Sequence, residues 1–334
     1  MNSENIFDTQ KFQQELFGLK PDNFDIAALE LFQFQYKENV VYRKYCELIG
    51  VEPQKVTSIK AIPFLPISFF KSHQLKTTLF KAEEIFTSSG SSSSQTSKHY
   101  IKELQLYEQS FTRAFEHFYG KVDQYRVLAL LPSYLERKGS SLVYMAKHLI
   151  EKSGFVESGF FLNELHALND TLNDLAKRNK KVLLIGVSFG LLDFIESFNP
   201  SKNPNLIVME TGGMKGRRKE LIREELHNNL MKGFQTTCIH SEYGMTELLS
   251  QAYSTGNGLF TCPPWMKILT RDTEDPFTHV NGKTGGINVI DLANLYSCSF
   301  IATQDLGKLH TNNSFEVVGR FDDSDIRGCN LMVL

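Results

Sequence analysis

The feature of this sequence that most constrains its fold is an alternation of short apolar runs with amphipathic stretches through its middle third. Each run is long enough for a strand, and apolar residues in the following stretch recur at helical spacing. This alternation is typical of βα units, in which parallel strands form a sheet that helices cover. The predicted strands span residues 125–131, 181–187, 206–209 and 236–239. Predicted helices follow the first three strands, one ending near residue 152 and the others spanning residues 191–198 and 219–230.

The segments on either side of these units have different patterns. Residues 25–48 hold apolar side chains at helical spacing without Pro or Gly, so they predict a helix. From residue 266 onward, strand-like runs follow one another with little helix between them. These runs span residues 266–269, 286–290, 299–302 and 315–318. The sequence therefore predicts an α/β protein with a helical N-terminal part and a smaller β region that closes the chain.

Composition excludes several function classes. The 334 residues include 36 Lys and Arg against 38 Asp and Glu, which gives a formal net charge of −2. Such a balance argues against a dedicated nucleic-acid binder, in which a basic excess is expected. No apolar run approaches the ~20 residues of a membrane-spanning helix. The polar, acidic start of the chain does not resemble a secretory signal, so a cytoplasmic enzyme is the expected class.

The cysteines indicate reduced thiols. There are five of them, an odd number, and they are scattered along the chain without a C-x-x-C pair. This spacing predicts neither a zinc site nor a redox dithiol. Four are interpreted as small core residues. The fifth, Cys329, is considered below.

One motif candidate is G-V-S-F-G at residues 186–190, which follows a predicted strand and precedes a predicted helix. That context is required of the nucleophile elbow of an α/β-hydrolase, with Ser188 as the nucleophile. Partners for a Ser, Asp, His triad lie downstream: Asp272, Asp305, His279 and His310. The alternative is an ordinary βα turn in which Gly and Ser simply fit.

A second candidate is the hydroxyl-rich segment T-S-S-G-S-S-S-S-Q-T-S at residues 87–97. It is not a Walker A loop, because no G-K-[ST] follows Gly90 at the required spacing. A loop of backbone N–H and hydroxyl donors can nevertheless wrap phosphate oxygens. A flexible Gly/Ser linker between domains is the alternative interpretation.

A third candidate is S-E-Y-G-M-T-E-L at residues 241–248, after the predicted strand 236–239. Tyr243 offers a ring on which a base can stack, and Thr246 offers a hydroxyl to phosphate. Glu247 offers a hard oxygen ligand for Mg²⁺. By itself this segment could equally be an ordinary turn.

The order of these segments is more specific than any one of them. After the hydroxyl loop and S-E-Y-G-M-T-E come A-T-Q-D-L-G at residues 302–307 and V-G-R-F-D-D at residues 318–323. This series resembles the core motifs of the adenylate-forming superfamily over residues 87–328. Within it the chain is most similar to the LuxE family of acyl-protein synthetases, and phenylacetate-CoA ligases come next. The segments that carry the LuxE likeness are residues 131–137, 210–217 and 325–330.

The resemblance implies a fold and a division of the chain. The fold is the large domain of the superfamily, with two βα subdomains, a distorted β region and a truncated C-terminal element. Residues 1–85 would be the helical part of that domain, residues 86–318 its core, and residues 319–334 the hinge and a rudimentary C-terminal element. Asp322 would lie at the hinge. The usual C-terminal domain carries a lysine for adenylation, and no position here matches it.

The resemblance also implies a nucleotide site for ATP and Mg²⁺. The phosphate loop would consist of Ser88, Ser89, Gly90, Ser91, Ser92, Ser93 and Thr96. Gly212 and Gly213 would let the nucleotide approach the backbone, and Tyr243, followed by Gly244, would stack on adenine. Thr246 would contact the α-phosphate and Glu247 would hold Mg²⁺. Asp305 would accept hydrogen bonds from the ribose, with Arg320 nearby. Lys215, Arg217 and Arg137 could donate to anionic groups or be ordinary surface charges.

The implied function is the activation of a carboxylic acid by ATP to give an acyl-adenylate. A fatty acid is the expected substrate. In the LuxE family a cysteine near the C-terminus is then acylated, and Cys329 matches that setting; the alternative for it is a buried structural cysteine. Ser188 and Phe189 would belong to the wall of the acyl pocket. A CoA ligase relative and a non-catalytic nucleotide-binding protein remain alternatives. The family further implies an acyl-CoA reductase-like partner, while no nucleic-acid partner and no membrane span are expected.

Overall fold

The computed structural model describes residues 7–88, 95–131, 139–213 and 221–321. Helices alternate with strands through the middle of the chain and give way to strands alone after residue 240. Within the described residues the α-helices are α1 Thr9–Leu16, α2 Phe24–Glu38, α3 Val40–Leu48, α4 Phe69–Ser72, α5 Leu104–Tyr119, α6 Ser141–Ser153, α7 Leu165–Lys177, α8 Ser188–Ser197 and α9 Arg223–Phe234. The strands are β1 Leu65–Pro66, β2 Glu84–Thr87, β3 Lys98–Ile101, β4 Arg126–Leu130, β5 Gly159–Phe160, β6 Val182–Gly186, β7 Leu206–Glu210, β8 His240–Tyr243, β9 Ala252–Ser254, β10 Phe260–Thr261, β11 Met266–Arg271, β12 Thr284–Asp291, β13 Phe300–Leu309 and β14 Phe315–Arg320.

Most strands belong to one 12-stranded sheet with the order β11-β12-β13-β14-β10-β9-β8-β7-β6-β4-β5, and β1 pairs with β13 beside that path. The neighbouring strands β8, β7, β6, β4 and β5 are parallel to one another. From the β8–β9 pair onward the pairing is antiparallel, apart from the parallel β1–β13 pair. The predicted βα units and the predicted terminal β region are therefore confirmed, and they share one continuous sheet.

Two hydrophobic cores cover the two faces of the parallel half. Along β4, Val127 and Ala129 belong to the core that includes α5 and α6, whereas Leu128 and Leu130 belong to the core that includes α7, α8 and α9. Successive side chains of a strand point to opposite faces, so helices on both faces require apolar residues at every position. This explains why these strands are continuous apolar runs in the sequence.

The helix predicted over residues 25–48 is in fact two helices that meet at Asn39. The Asn39 side chain accepts a hydrogen bond from the Tyr42 backbone N–H and so caps α3. Its amide nitrogen donates to Thr77 Oγ1 at 3.3 Å and to the Ser297 carbonyl at 2.9 Å. The apolar residues keep their helical spacing through residue 39. The chain nevertheless turns at Asn39, because its side chain hydrogen-bonds to Thr77 and Ser297, which are distant in the sequence.

We expect the Asn39→Ala variant to lower the free energy of unfolding by about 2 kcal/mol. Asn39 is fully buried, and the change removes a helix cap worth ~1 kcal/mol and leaves buried groups without a partner. Urea unfolding followed by circular dichroism would measure the difference. Asn228→Ala, at an exposed position of α9, is the matched control and should leave stability within about 0.5 kcal/mol. Equal losses in the two variants would contradict this role for Asn39.

The strand predicted at residues 236–239 lies a few residues later, at His240–Tyr243. The preceding helix, α9, ends with Gln235 in a left-handed conformation, and the Thr236 N–H donates to the Met231 carbonyl. These contacts keep Thr236, the first residue of the predicted strand, at the end of α9. The shift places Tyr243 on the strand itself instead of in the turn after it.

The hydroxyl-rich segment lies between two paired strands. Thr87 of β2 pairs with Lys98 of β3, and the Ser88 Oγ accepts from the Ser97 N–H at 2.9 Å. The ends of the segment are thus joined as in a hairpin, so the domain-linker interpretation is wrong. No helix among the described residues is long and apolar enough to cross a membrane.

Candidate functional site

The carboxyl ends of β6 and β7, together with the first residues of the adjacent strand β8, bring polar side chains together around Glu210. Glu210 ends β7, Ser188 begins α8 directly after β6, and Ser241 lies on β8. Ligand sites of open α/β sheets form at this edge. The Ser188 hydroxyl donates to Glu210 Oε2 at 3.2 Å, and Arg223 Nη1 donates to Glu210 Oε1 at 2.9 Å. The Glu210 carboxylate therefore joins the ends of β6 and β7 to the start of α9.

The environment of Glu210 favours its charged form. Burial by itself raises the pKa of this carboxyl, but the His227 ring at 3.6 Å, the Arg223 charge and the Gly212 N–H outweigh burial and lower the pKa to about 2. Gly212 and Gly213 have positive φ angles of 74° and 90°. Such angles favour glycine, which lets the backbone curl back so that the Gly212 N–H reaches the carboxylate.

A second group joins the parallel and antiparallel halves of the sheet. The Tyr243 hydroxyl donates to Asp305 Oδ2 at 2.9 Å, and Arg320 Nε lies 3.0 Å from Asp305 Oδ1. Burial and the neighbouring carboxylate raise the pKa of Tyr243 well above its ordinary value, so the phenol stays a donor. The Tyr243 ring meets Phe260 and Phe315 edge-on. The structure thus brings together three residues that the resemblance assigned to adenosine.

The turn after β8 contacts the hairpin that carries the hydroxyl segment. His99 on β3 donates from Nδ1 to the Thr246 carbonyl at 2.8 Å. Burial lowers the pKa of His99 to about 4, against a smaller rise from this hydrogen bond, so the ring is neutral. Ser97 hydrogen-bonds the Glu247 carboxylate. Thr96, next to Ser97, is half-buried. Glu247, the predicted magnesium ligand, is therefore in contact with the residue that follows Thr96.

Asp291 stabilises the turn that follows β8. This fully buried carboxylate accepts from the Leu249 N–H at 2.8 Å, the Ser250 N–H at 2.9 Å and the Ser250 hydroxyl at 2.5 Å. Burial raises its pKa, and these hydrogen bonds act in the opposite direction. Asp291 thereby fixes the backbone that follows Glu247.

Glu247 is the buried carboxylate of this turn that could hold a metal ion. Burial raises the pKa of Glu247, while the Ser97 hydroxyl and the charges of Arg320 and Lys71 lower it. Mg²⁺ in such sites takes one or two protein carboxylates and completes its shell with water and substrate phosphates. Among the residues with described positions, no group of three or more His, Cys, Asp or Glu could hold a metal.

Glu242 is a titratable group that the sequence argument did not single out. It precedes Tyr243 on β8 and therefore points to the opposite face of the sheet. Burial, followed by repulsion from Glu210, raises the pKa of Glu242 to about 8. A side chain at Gly244 would collide with the Glu242 carboxylate. The glycine of the motif therefore makes room for this carboxyl.

Several predicted residues lie outside the described part of the chain. They are Ser89, Gly90, Ser91, Ser92, Ser93, Arg137, Lys215, Arg217, Asp322 and Cys329. The sequence argument did not predict several residues that form much of the described site, namely Glu210, Arg223, His99 and Asp291. It named Ser188, but not as a partner of Glu210. For Glu210 a signal existed, because an acid ends an otherwise apolar strand.

The hydrolase interpretation of Ser188 has no support in the geometry. The hydroxyl of Ser188 donates to a carboxylate, and the side chain is 1% exposed. A nucleophilic serine needs a neighbouring base and access to substrate. His310 instead pairs with Glu316 at 2.6 Å, and Asp305 pairs with Tyr243 and Arg320. Ser188 stabilises the β6–α8 turn by its hydrogen bond.

Comparison with known proteins identifies the family of this chain. A family model described as acyl-protein synthetase, LuxE, matches residues 5–334. The long-chain-fatty-acid–luciferin-component ligase of Vibrio harveyi is 24% identical over 90% of this chain and 84% of its own.

The structural relatives are adenylate-forming ligases. A 2-hydroxyisobutyryl-CoA ligase with 2-HIB-AMP and CoA has a TM-score of 0.64 at 12% identity, covering 97% of this chain and 74% of that one. ATP-bound MatB from Rhodopseudomonas palustris has a TM-score of 0.52 at 16% identity, covering 73% of this chain, which spans 50% of MatB. These likenesses establish the fold. The fold is that of the adenylate-forming ligases. Because the family model extends over nearly the whole sequence, the chain belongs to the LuxE family of acyl-protein synthetases and is a ligase.

Proposed function

We propose that this enzyme activates a fatty acid with ATP and Mg²⁺ and then carries the acyl group on Cys329 as a thioester. The observation that carries the proposal is the joining of Tyr243, Asp305 and Arg320 across the seam of the sheet, beside Glu247. An aromatic ring, a carboxylate and a cation that are neighbours support a site for a nucleotide with its ribose and phosphates. The fatty acid is proposed from the Vibrio harveyi relative, whose name states that substrate class.

The proposed roles follow from the chemistry of each side chain. Asp305 accepts hydrogen bonds from the ribose hydroxyls, and Tyr243 lies against adenine. Thr246 donates its hydroxyl to the α-phosphate. Gly212 and Gly213 provide backbone without side chains, so the nucleotide can approach closely. Positioning of the two reactants provides much of the acceleration in a displacement of this kind.

The first step needs charge neutralisation and no general base. A fatty carboxylate attacks the α-phosphorus of ATP, a P–O bond to pyrophosphate breaks, and the acyl-adenylate remains. Both reactants are anions, so cations and N–H donors must offset their repulsion. Glu247 would hold the Mg²⁺, which supplies positive charge when bound. Arg320, whose side chain is 60% exposed, is a described cation next to the proposed nucleotide position, and the charge of Lys71 also acts on Glu247.

The second step needs a reactive thiol. The Cys329 thiolate would attack the acyl carbonyl, release AMP and form a thioester. Burial raises the pKa of the Cys46 and Cys298 thiols to about 12, and the pKa of Cys262 is raised further. These three thiols are therefore poor nucleophiles at neutral pH. Cys238 differs from these three because its Sγ lies 3.5 Å from His240 Nε2. It is the described thiol that could compete with Cys329.

We expect the Cys329→Ala variant to lose stable acylation and to keep fatty-acid-dependent ATP–pyrophosphate exchange within about twofold, because the thiol acts after adenylation. Intact-mass spectrometry after incubation with ATP, Mg²⁺ and a fatty acid measures the first property, and labelled pyrophosphate measures the second. Cys238→Ala is the matched control and should still be acylated. Acylation that persists without Cys329 and disappears without Cys238 would assign the acceptor role to Cys238.

The same assay separates the alternatives. Several structural relatives are CoA ligases, so coenzyme A is tested as an acceptor. Release of acyl-CoA with no protein acylation would favour a CoA ligase. ATP binding without any exchange would favour a nucleotide-binding protein.

The family also leads us to propose an acyl-CoA reductase-like protein as the partner that receives the acyl group in the cytoplasm.

A further inference from the structure

The segment that joins β8 to β9, residues 244–251, carries two residues of the proposed reaction. They are Thr246, assigned to the α-phosphate, and Glu247, assigned to Mg²⁺. The position of these two side chains depends on how the two ends of the segment are held. At those ends lie two polar side chains, Glu242 and Gln251, that the proposed reaction does not use.

Glu242, on β8 just before the segment, is a half-buried acid without a partner. No hydrogen bond or ion pair reaches its carboxyl from any residue whose position is described. Burial, followed by repulsion from Glu210, raises the pKa of Glu242 to about 8, so most of this carboxyl is protonated at neutral pH. A protonated carboxyl has one O–H group to donate. Glu242 is therefore a hydrogen-bond donor in search of an acceptor.

Gln251, the last residue before β9, has the complementary deficiency. Its side chain is 3% exposed, and its buried Oε1 atom has no hydrogen-bond partner in the described part of the chain. An amide oxygen can only accept a hydrogen bond. Buried polar atoms are nearly always satisfied in native proteins, so a donor is expected close to this oxygen.

The pairing of the two strands brings these two groups to one place. Glu242 lies opposite Tyr253, and the same register, continued towards the segment, sets Gly244 opposite Gln251. Side chains alternate along a strand, so Glu242 and Gln251 share a face and are diagonal neighbours. A Cβ atom built at Gly244 would collide with the Glu242 carboxyl and would lie 3.2 Å from Gln251 Cγ. The carboxyl thus occupies the space above Gly244, beside the glutamine side chain.

We propose that the protonated Glu242 carboxyl donates a hydrogen bond to Gln251 Oε1 and so joins the two ends of the segment. The pair thereby positions Thr246 and Glu247 without contacting substrate. Ionisation of Glu242 removes the donated proton and sets a negative charge beside the amide oxygen, which loosens the segment. The hydrogen bond is independent of the proposed function, whereas its effect on catalysis rests on that function.

The titratable groups around Glu242 keep their charge near neutral pH. Glu210 on β7 is ionised, since its pKa is lowered to about 2, and it repels a second negative charge. Tyr253 on β9 and Tyr107 on α5 interact with Glu242, and burial raises the pKa of both phenols well above the ordinary value. Glu242 is therefore the member of this set whose charge changes between pH 7 and pH 9.

The first test needs no substrate. Urea unfolding is followed against pH for the original protein and for Glu242→Gln, whose amide can donate to Gln251 at every pH. Because the folded pKa lies above the ordinary Glu value of 4.5, the stabilisation by the proton is complete below pH 4.5 and is lost as the pH rises through 8. We expect the urea midpoint of the original protein to fall below that of Glu242→Gln over this interval. Glu225→Gln, at an exposed position of α9, is the control and should run parallel to the original.

A double-mutant cycle identifies the acceptor. Glu242→Ala, Gln251→Ala and the double variant are unfolded at pH 6 and at pH 9, and the departure from additivity measures the coupling between the two side chains. We expect favourable coupling at pH 6 that disappears at pH 9, because an ionised carboxyl has no proton to donate. Favourable coupling that persists at pH 9 would overturn the proposal, since it would show the Gln251 amide donating to a carboxylate.

ATP–pyrophosphate exchange against pH measures the positioning role. The protonated fraction of a group with a pKa of about 8 falls about tenfold between pH 7 and pH 9, so kcat of the original protein should fall about tenfold relative to Glu242→Gln. Identical pH profiles in the two proteins would exclude the positioning role. Absence of exchange in both, with pH-dependent coupling in the cycle, would count against the proposed reaction and leave the hydrogen bond supported.

Discussion

Replacing Asp305 with alanine should lower the kcat/KM for ATP in pyrophosphate exchange by roughly 100-fold. The buried carboxylate accepts from Tyr243 at 2.9 Å and pairs with Arg320 at 3.0 Å, and it is the proposed acceptor for the ribose. Hydrogen bonds to charged groups are worth about 1.5–3 kcal/mol each, so loss of the ribose contact and of the Tyr243 position costs about 3 kcal/mol together. Each 1.4 kcal/mol corresponds to about a factor of ten.

The conservative variant tests the mechanism of that loss. Asp305→Asn keeps an oxygen acceptor for Tyr243 and should lose much less affinity than Asp305→Ala. Asp170→Ala, on the exposed face of α7, is the matched control and should behave like the unmodified enzyme. Exchange rates at several ATP concentrations separate the KM from kcat. If Asp305→Ala kept its KM for ATP while remaining folded, the ribose role would be wrong.

The second large effect concerns stability. We expect Glu210→Gln to lower the free energy of unfolding at pH 7 by about 3 kcal/mol. The folded pKa of about 2 lies below the ordinary Glu value of 4.5, and each unit of difference is worth about 1.4 kcal/mol. Because the folded pKa is the lower one, this stabilisation is complete above pH 4.5 and is lost as the pH falls towards 2. The variant also leaves Arg223 without its ion-pair partner.

Urea unfolding at a series of pH values would measure this dependence. The difference between the original protein and Glu210→Gln should be largest at neutral pH and shrink below pH 4.5. Glu225→Gln, at an exposed position of α9, is the control and should stay within about 0.5 kcal/mol of the original. A pH-independent difference would show that shape and not charge explains the loss.

Much of the fold could be predicted because burial on both faces leaves a continuous apolar signal. Residues 181–187 and 206–209 became β6 and β7 nearly as expected, since their pattern depends on local spacing alone. Asn39 could not be predicted to end a helix, because its partners Thr77 and Ser297 are distant in sequence. The start of β8 was missed for a related reason, since the end of the preceding helix displaces it.

The candidate site shows the same limit. The resemblance brought Tyr243, Asp305 and Arg320 to attention, and the structure confirms that they are neighbours, while their roles remain proposals. The Glu210 group was not predicted, because its members come from different parts of the βα region and only the folded sheet brings them together. Single polar residues in a sequence give little information about which of them will be neighbours in the folded protein.

The pairing of β1 with β13 has a consequence for how this enzyme comes into being. Leu65 pairs with Ile301, and Pro66 pairs with Ala302, so an early part of the chain finds its partner only when the last strands exist. A ribosome therefore releases most of the polypeptide before this contact can close, and contacts of such long sequence separation form slowly. During that interval the nascent segment around β1 lacks its strand partner, so its backbone groups at Leu65 and Pro66 stay unpaired with the sheet until β13 has been made.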